Sequence, residues 1–155
     1  MALRVAGRLA RRRGPVGDRC PIDRTLQVLG SRSAFLLLRE AFYGSTRFDD
    51  FVRLTGFTEA VAAKRLKELV EHGLLEKRPY QVPGKRTRHE YVLTERGHDL
   101  LPVLVALGEW GRKHSPAKGG PTLLHDDCDS PVQIALRCTD GHDVVEDDLV
   151  VTTQT

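Results

Sequence analysis

The stretch RFDDFVRLTGFTEAVAAKRLKELVEH, residues 47–72, decides the fold of this 155-residue chain. Apolar residues recur at helical spacing on both sides of Gly56, which predicts a short helix, a tight turn and a second helix over 59–72. Thr58 is a favourable N-cap for the second helix, and Gly73 stands where a left-handed residue ends a helix. The residues expected in the core are Phe48, Phe51, Val52 and Leu54 of the first helix and Val61, Ala62, Leu66, Leu69 and Val70 of the second. The pattern is that of a helix-turn-helix.

The residues that follow predict a two-stranded β-hairpin with a basic tip. Leu74–Arg78 is typical of a short strand, His89–Leu93 alternates polar and apolar residues, and Pro83-Gly84 forms a turn pair between them. The cations beside the turn are Lys85, Arg86 and Arg88. A helix-turn-helix followed by such a hairpin indicates a winged helix-turn-helix. The fold class expected is therefore mainly α with a small β-hairpin wing.

Two helices are expected upstream of this motif. Apolar residues keep helical spacing from Ile22 to Gly44, with a break at Gly30-Ser31. Ser33 is the expected cap of the second of these helices.

One further helix is expected downstream, over residues 95–113. Thr94 caps it, and Pro102 lies inside the pattern and should introduce a kink. Its apolar face is wider than one small domain can bury, which predicts contact with a second subunit. The residues of that face are Leu100, Leu101, Leu104, Val105, Leu107, Gly108 and Trp110.

Charge divides the chain into three parts. The overall net charge of +3 combines +5 over residues 1–19, +4 over 20–114 and −6 over 115–155. These parts are predicted to be a flexible basic arm, a DNA-binding and dimerisation domain, and a linker with an acidic tail. Within the tail, 132–138 and 144–151 are expected to form two further short strands. The basic charge of residues 1–19 favours a polyanionic partner. The alternative interpretation is that both ends of the chain are solvated and disordered.

Composition excludes several classes of protein. No uncharged apolar run reaches the ~18 residues that a membrane-spanning helix needs. Three cysteines are too few for a disulfide-stapled secreted domain, and the arginine-rich first residues lack the apolar segment of a signal peptide. No catalytic triad, phosphate loop or pair of carboxylates indicates catalysis. We therefore expect a cytoplasmic protein that is not an enzyme and has no membrane partner.

The second helix of the motif and the tip of the hairpin carry the residues expected to contact DNA. A helix fits the major groove and reads base edges with its N-terminal residues, while cations on a wing reach the adjacent minor groove or backbone. The candidates are Thr58, Glu59, Ala60, Ala63, Lys64 and Lys67 on the helix and Lys85, Arg86 and Arg88 on the wing. The predicted partner is double-stranded DNA. A helical domain with an exposed basic hairpin and no DNA ligand is the structural alternative.

Several short motifs, in this order, resemble the HxlR-type winged helix-turn-helix transcriptional regulators over residues 20–114. They are Cys20-Pro21, Leu29-Gly30, Leu36-Leu37-Leu38-Arg39-Glu40, Arg47-Phe48, Arg65-Leu66-Lys67-Glu68-Leu69, Gly73-Leu74-Leu75, Glu90-Tyr91-x-Leu93-Thr94-x-x-Gly97 and Trp110-Gly111. The resemblance implies a homodimer, held by the N-terminal region and helix 95–113, that binds a pseudo-palindromic operator and commonly represses transcription. The chain departs from the family at Ser33, where tryptophan is usual.

Cys20 is the candidate redox sensor. It stands where some members of that family keep a sensing cysteine, and Arg19 and Arg24 are neighbours able to stabilise a thiolate. A buried or idle thiol is the alternative.

The acidic tail contains a candidate zinc site, made of His125, Cys128, Cys138 and His142. Zinc takes four nitrogen or sulfur ligands, and the surrounding aspartates attract a cation, although such a composition is also typical of disorder. A disulfide between the two cysteines, or free thiols, are alternatives.

No cofactor is required for DNA binding. The alternative function is a thiol- or metal-responsive sensor whose winged domain mainly mediates protein–protein contact.

Overall fold

The computed structural model describes residues 3–11, 15, 17–81, 83–84, 87–116 and 119–152. The chain divides into two compact units. One spans Pro21–Gly119, and the other joins Met1–Cys20 to Gly120–Thr155. In chain order the elements are β1 (Arg4–Val5), α1 (Gly7–Ala10), α2 (Pro21–Leu29), α3 (Arg32–Phe42), α4 (Phe48–Thr55), α5 (Glu59–Glu71), β2 (Leu75–Tyr80), β3 (Arg88–Leu93), α6 (Glu95–His98), α7 (Leu101–His114) and β4 (Val150–Val151).

The core of the larger unit lies where α3, α4, α5 and the start of β2 meet. Its fully buried side chains come from these elements and from the end of α2. They are Leu29, Ala34, Leu37, Leu38, Phe51, Leu66, Leu69, Leu74 and Leu75. Strands β2 and β3 pair antiparallel, from Leu75 opposite Leu93 to Tyr80 opposite Arg88. The predicted winged helix-turn-helix, mainly α with a small hairpin, is confirmed.

Local capping explains why the helices begin and end where they do. The Thr58 hydroxyl accepts a hydrogen bond from the Val61 N–H at 3.3 Å, as the sequence predicts. Gly56 and Gly73 have φ of +69° and +68°, a left-handed conformation that favours glycine. The expected cap at Ser33 is wrong, because Ser31 holds the extended N-cap conformation and accepts from the Ala34 N–H at 3.2 Å.

Two residues expected in the core are exposed instead. Leu54 is 44% and Val61 43% exposed. An α-helix turns by about 100° per residue, so Val61 lies about a quarter turn away from the core stripe through Ala62 and Leu66. Leu54 lies in the last turn of α4, one residue before its end. Other predicted core residues are confirmed, since Phe51, Ala62, Leu66 and Leu69 are buried and Phe48 and Val70 pack against the core.

The predicted single helix over 95–113 is also wrong. The chain forms two helices, α6 and α7, with Asp99 and Leu100 between them. Pro102 falls in the first turn of α7, where its missing N–H breaks no hydrogen bond, so it helps to begin a helix and does not kink one. Thr94 caps α6 as predicted, accepting from the Gly97 N–H at 3.0 Å.

The smaller unit joins the two ends of the chain. Strand β1 pairs in parallel with β4, Arg4 opposite Val150 and Val5 opposite Val151. The expected flexible arm thus contributes a strand and a helical turn, and the opposite net charges of the arm and the tail favour this association. In place of the two strands expected in the tail, the described residues show β4 and two isolated bridges, Leu124 with Pro131 and Arg137 with Asp143.

No helix among the described residues is long and apolar enough to cross a membrane.

Burial on α5 leads to a stability prediction. Leu66→Ala removes a fully buried side chain and is expected to lower the free energy of unfolding by about 3 kcal/mol, because it leaves a cavity in the core. Val61→Ala on the same helix is the control, with a change of no more than about 0.5 kcal/mol. Urea unfolding at fixed protein concentration measures both, and equal losses would contradict this description of the core.

Candidate nucleic-acid interface

Helix α5 presents one continuous polar face to solvent. All six of its predicted contact residues, Thr58, Glu59, Ala60, Ala63, Lys64 and Lys67, are exposed. Ala60, Ala63, Lys64 and Lys67 lie away from the buried stripe of Ala62, Leu66 and Leu69, which packs the helix on the core. Thr58 and Glu59 are exposed because they stand at the N-terminal end of the helix. The structure therefore brings these candidates together at the N-terminal part of one helix, with the positive end of the helix dipole beside them.

The chemistry of this face suits close approach to a duplex. Ala60 and Ala63 are small, so a second surface can reach the helix backbone. Lys64 supplies a positive charge, and Lys67 lies 3.6 Å from the Glu71 carboxylate in an exposed ion pair. Such a pair contributes little and leaves the ammonium available to a phosphate.

Val61 is a contact candidate that sequence reasoning missed. Its side chain is exposed beside Thr58 at the start of α5. Apolar side chains in a major groove contact the methyl group of thymine. The helical spacing of the apolar residues predicted that Val61 lies in the core. The orientation of α5 in the structure shows that it is exposed instead.

Helix α5 is tied to α3 by a polar contact at the position where the chain departs from the HxlR-type pattern. The Arg65 guanidinium donates to the Ser33 hydroxyl at 3.2 Å and also pairs with Glu68. The Ser33 hydroxyl lies 3.2 Å from that of Ser31, the cap of α3. A serine at this position therefore connects the cap of α3 directly to the helix that carries the polar face.

The end of α5 is held by a close contact with α6. The Thr94 hydroxyl donates to the Gly73 carbonyl at 2.6 Å, and the Thr94 N–H donates to the Leu74 carbonyl at 3.1 Å. A Cβ on Gly97 would lie 2.2 Å from that same Leu74 carbonyl oxygen. Only glycine fits here, so Thr94 and Gly97 act together to fix the turn between α5 and β2.

The wing is anchored to the start of the helix-turn-helix. The Tyr91 N–H donates to the Thr46 carbonyl at 2.7 Å, and Arg47 forms a single β-bridge with Glu90. The Arg47 guanidinium also stacks over the Tyr80 ring, 5.1 Å from its centroid. Burial raises the pKa of the Tyr91 phenol. The role of Arg47 was not predicted, because nothing in its spacing distinguishes it from a surface arginine.

The cations of the wing are only partly described by the structure. Arg88, the first residue of β3, is exposed as expected. Lys85 and Arg86 lie outside the described residues. Lys77 and Arg78 on β2 are exposed cations that sequence reasoning did not include, although Arg78 pairs with Glu76.

Comparison with known proteins agrees with this geometry. The model of a family described as HxlR-like helix-turn-helix matches residues 28–118. The chain belongs to the HxlR-like helix-turn-helix family. It is a helix-turn-helix transcriptional regulator, a class of protein that is not enzymatic.

Two curated relatives carry the same description. An uncharacterized HTH-type transcriptional regulator of Mycobacterium tuberculosis (strain ATCC 25618 / H37Rv) is 39% identical over 120 residues, 76% of this chain and 75% of that protein. The uncharacterized HTH-type transcriptional regulator YdeP of Bacillus subtilis is 35% identical over 97 residues, 61% of this chain and 73% of that protein.

Solved structures extend the similarity to the fold. The crystal structure of PA1607, a candidate transcription factor, matches with a TM-score of 0.79 and 33% identity, covering 89% of this chain and 97% of that one. The redox regulator HypR in its oxidized form matches with a TM-score of 0.57 and 32% identity, covering 63% of this chain and 100% of that one.

Cys20 of this HxlR-like regulator is a half-buried free thiol directly before α2. Within the part of the chain that the structure describes, the thiol has no hydrogen-bonding or charged partner, and Arg19 and Arg24 form no ion pair. Redox sensing by Cys20 stays a prediction.

The tail residues proposed for zinc form two separate pairs. His125 Nδ1 lies 3.3 Å from Cys128 Sγ, and Cys138 Sγ lies 3.5 Å from His142 Nδ1. Among the described side chains, no group of three or more His, Cys, Asp or Glu could hold a metal ion. Cys128 and Cys138 are free thiols, so the disulfide alternative is not formed. A zinc ion in the tail stays a prediction.

The surroundings of Cys128 lead to a pH prediction. Hydrogen bonds from the side chain and backbone of Ser130 lower the pKa of the exposed Cys128 thiol. The thiolate is therefore present at lower pH than in an ordinary cysteine, and alkylation by iodoacetamide should reach half its maximal rate at a correspondingly lower pH.

Mass spectrometry of the alkylated peptides measures this rate, with N-acetylcysteine amide, which has no carboxylate beside its thiol, in the same reaction as the reference. Ser130→Ala removes the side-chain hydrogen bond and should move the midpoint towards higher pH. A midpoint that matches the reference, or that Ser130→Ala leaves in place, would contradict the assignment.

Proposed function

We propose that this HxlR-like regulator binds a pseudo-palindromic operator as a homodimer and represses transcription there. The observation that carries this proposal is the polar face of α5, exposed along its N-terminal half and flanked by an anchored wing with cations. Helix α5 would enter the major groove, and Arg88 with the neighbouring cations would reach the adjacent minor groove or backbone. Occupancy of the operator would block transcription.

Exposed apolar residues on the terminal helices of the winged unit support a dimer. On α2, Ile22 and Leu26 are 71% and 52% exposed. On α7, Val103, Leu107 and Trp110 lie three and four residues apart on one face and are all exposed. Apolar surface of this extent on a small unit favours burial against a second copy. Two copies would place their α5 helices in successive major grooves, about 34–36 Å apart.

The test of DNA binding is fluorescence anisotropy with duplexes from the intergenic region upstream of the protein's own gene. We expect one duplex to bind more tightly than a shuffled duplex of equal length, with an affinity that falls as salt rises. Binding of no specific duplex, without any salt dependence, would overturn the regulator proposal and favour the alternative of a protein partner.

Two substitutions separate base recognition from backbone contact. Lys64→Ala should weaken binding mainly to the operator, by about 1–3 kcal/mol if it reads a base. Arg88→Ala should weaken binding to all duplexes about equally and lower the salt slope by about 1, because it removes a phosphate contact. Arg137→Ala, an exposed cation in the smaller unit, is the control. If both interface variants behave like the control, α5 and the wing are not the DNA-binding surface.

The dimer proposal is tested by a charge on the apolar face of α7. Leu107→Glu should shift the protein from dimer to monomer in analytical ultracentrifugation and reduce operator affinity, because a buried unpaired carboxylate is costly. Gln81→Glu adds the same charge at an exposed position of the winged unit and should leave the dimer intact. A monomeric parent protein, or an unchanged Leu107→Glu dimer, would contradict this interface.

A further inference from the structure

A cleft of about 460 Å³ opens beside α2 in the winged unit. Its walls are α2 on one side and α6 with the residues around Leu74 on the other. The floor is apolar, and three charged side chains lie at its rim. The floor residues are Val28, Leu29, Leu74 and Leu100, and the rim residues are Arg24, Arg96 and Asp99. Small-molecule sites in proteins have this size and composition, mostly apolar with a few polar groups.

One stripe of α2 faces this cleft. Pro21, Arg24, Thr25 and Val28 follow one another at three- and four-residue spacing. The Thr25 hydroxyl is already used, since it donates to the Pro21 carbonyl at 2.9 Å. The exposed apolar residues Ile22 and Leu26 lie on the neighbouring stripe. Leu29, one residue of the floor, continues that neighbouring stripe, so the cleft borders the proposed dimer face along α2.

The charge at the rim favours an anion. In the described residues, neither Arg24 nor Arg96 forms an ion pair with a carboxylate. Asp99 is the one opposing charge among the residues that line the cleft. Two guanidinium groups against one carboxylate leave a net positive rim above an apolar floor. Guanidinium groups bind carboxylates through paired, charge-assisted hydrogen bonds.

We propose that this cleft binds a small apolar carboxylate, an acid with one aromatic or aliphatic body, and that binding alters the affinity for DNA. The apolar body would cover Val28 and Leu100, and the carboxylate would pair with Arg24 and Arg96. Asp99 opposes a second negative charge and so selects against larger polyanions. The regulatory part of this inference rests on the function proposed above.

The structure connects the cleft to the DNA-binding face. Leu74 lines the cleft and directly follows Gly73, which ends α5. The Leu74 carbonyl accepts from the Thr94 N–H, and Leu75 begins the wing strand β2. A ligand that changes the distance between α2 and Leu74 would act on both α5 and the wing. Such a ligand shifts DNA affinity if it fits the DNA-binding and free conformations differently.

The binding experiment uses hydrocinnamate as the probe and its neutral amide, hydrocinnamamide, as the matched control. Isothermal titration calorimetry is carried out on the full chain without DNA, so the result does not depend on the proposed function. We expect hydrocinnamate to bind at least about tenfold more tightly than the amide, as charge-assisted hydrogen bonds predict.

Substitutions at the rim should change this affinity in opposite directions. Arg96→Gln and Arg24→Gln should each weaken hydrocinnamate binding by about tenfold, and Asp99→Asn should strengthen it, because it removes a repulsive charge. Arg53→Gln, an exposed arginine on α4, is the control and should change nothing. Absence of binding, equal affinity for acid and amide, or equal effects of Arg96→Gln and Arg53→Gln would overturn the site.

The regulatory part is tested separately by anisotropy with the operator duplex. Saturating hydrocinnamate should change the Kd for DNA by about fivefold or more in the parent protein, and much less in Arg96→Gln. If the acid binds at the rim while the Kd for DNA is unchanged, the regulatory part is overturned. If no specific duplex binds at all, the proposed function fails while the calorimetry still decides the site.

Discussion

The hydrogen bond from the Thr94 hydroxyl to the Gly73 carbonyl is the contact on which the rest of the winged unit depends. Gly73 ends α5 in a left-handed conformation, and Thr94 binds that end while capping α6. Because a Cβ on Gly97 would collide with the Leu74 carbonyl, α6 meets the turn after α5 at backbone distance. One threonine and two glycines thus fix the angle at which α5 leaves the core and the point at which the wing begins.

Two other contacts hold α5 and the wing on the core of the winged unit. Arg65 ties the middle of α5 to Ser33 on α3, and Tyr91 with Arg47 ties the wing to the start of α4. Each contact joins a predicted DNA-contacting element to the core through a group that is not itself on the DNA-facing surface. The base of α5 and of the wing is therefore held by contacts to the core, and the exposed side chains are left to interact with a partner. This arrangement suits a family of transcriptional regulators.

Much of this frame could be predicted from sequence because its signals are local. Thr58 and Thr94 were identified as caps, and Gly56 and Gly73 as helix ends, because each acts within a few residues of itself. Apart from the cap of α3, which is Ser31 and not the nearby Ser33, the errors came from tertiary contacts. Leu54 and Val61 were assigned to the core by their apolar character, whereas the rotation of each helix is set by its neighbours. The break before α7 was missed because a proline is compatible both with a kink inside a helix and with the first turn of a new helix. The pairing of β1 with β4 spans nearly the whole chain and leaves no local signal.

The anchored base of the wing has a consequence for evolution. Residues 74–93 form a hairpin whose base is closed by Thr94 and by the pairing of Leu75 with Leu93, and the described residues of its tip, 83–84 and 87, are exposed and carry no part of the core. Insertions and substitutions at such a tip cost little folding free energy, since loop closure depends only weakly on length. A lineage that keeps this base can change the length and charge of the tip by single mutations. The surface that the wing presents to a partner can then change while the protein continues to fold.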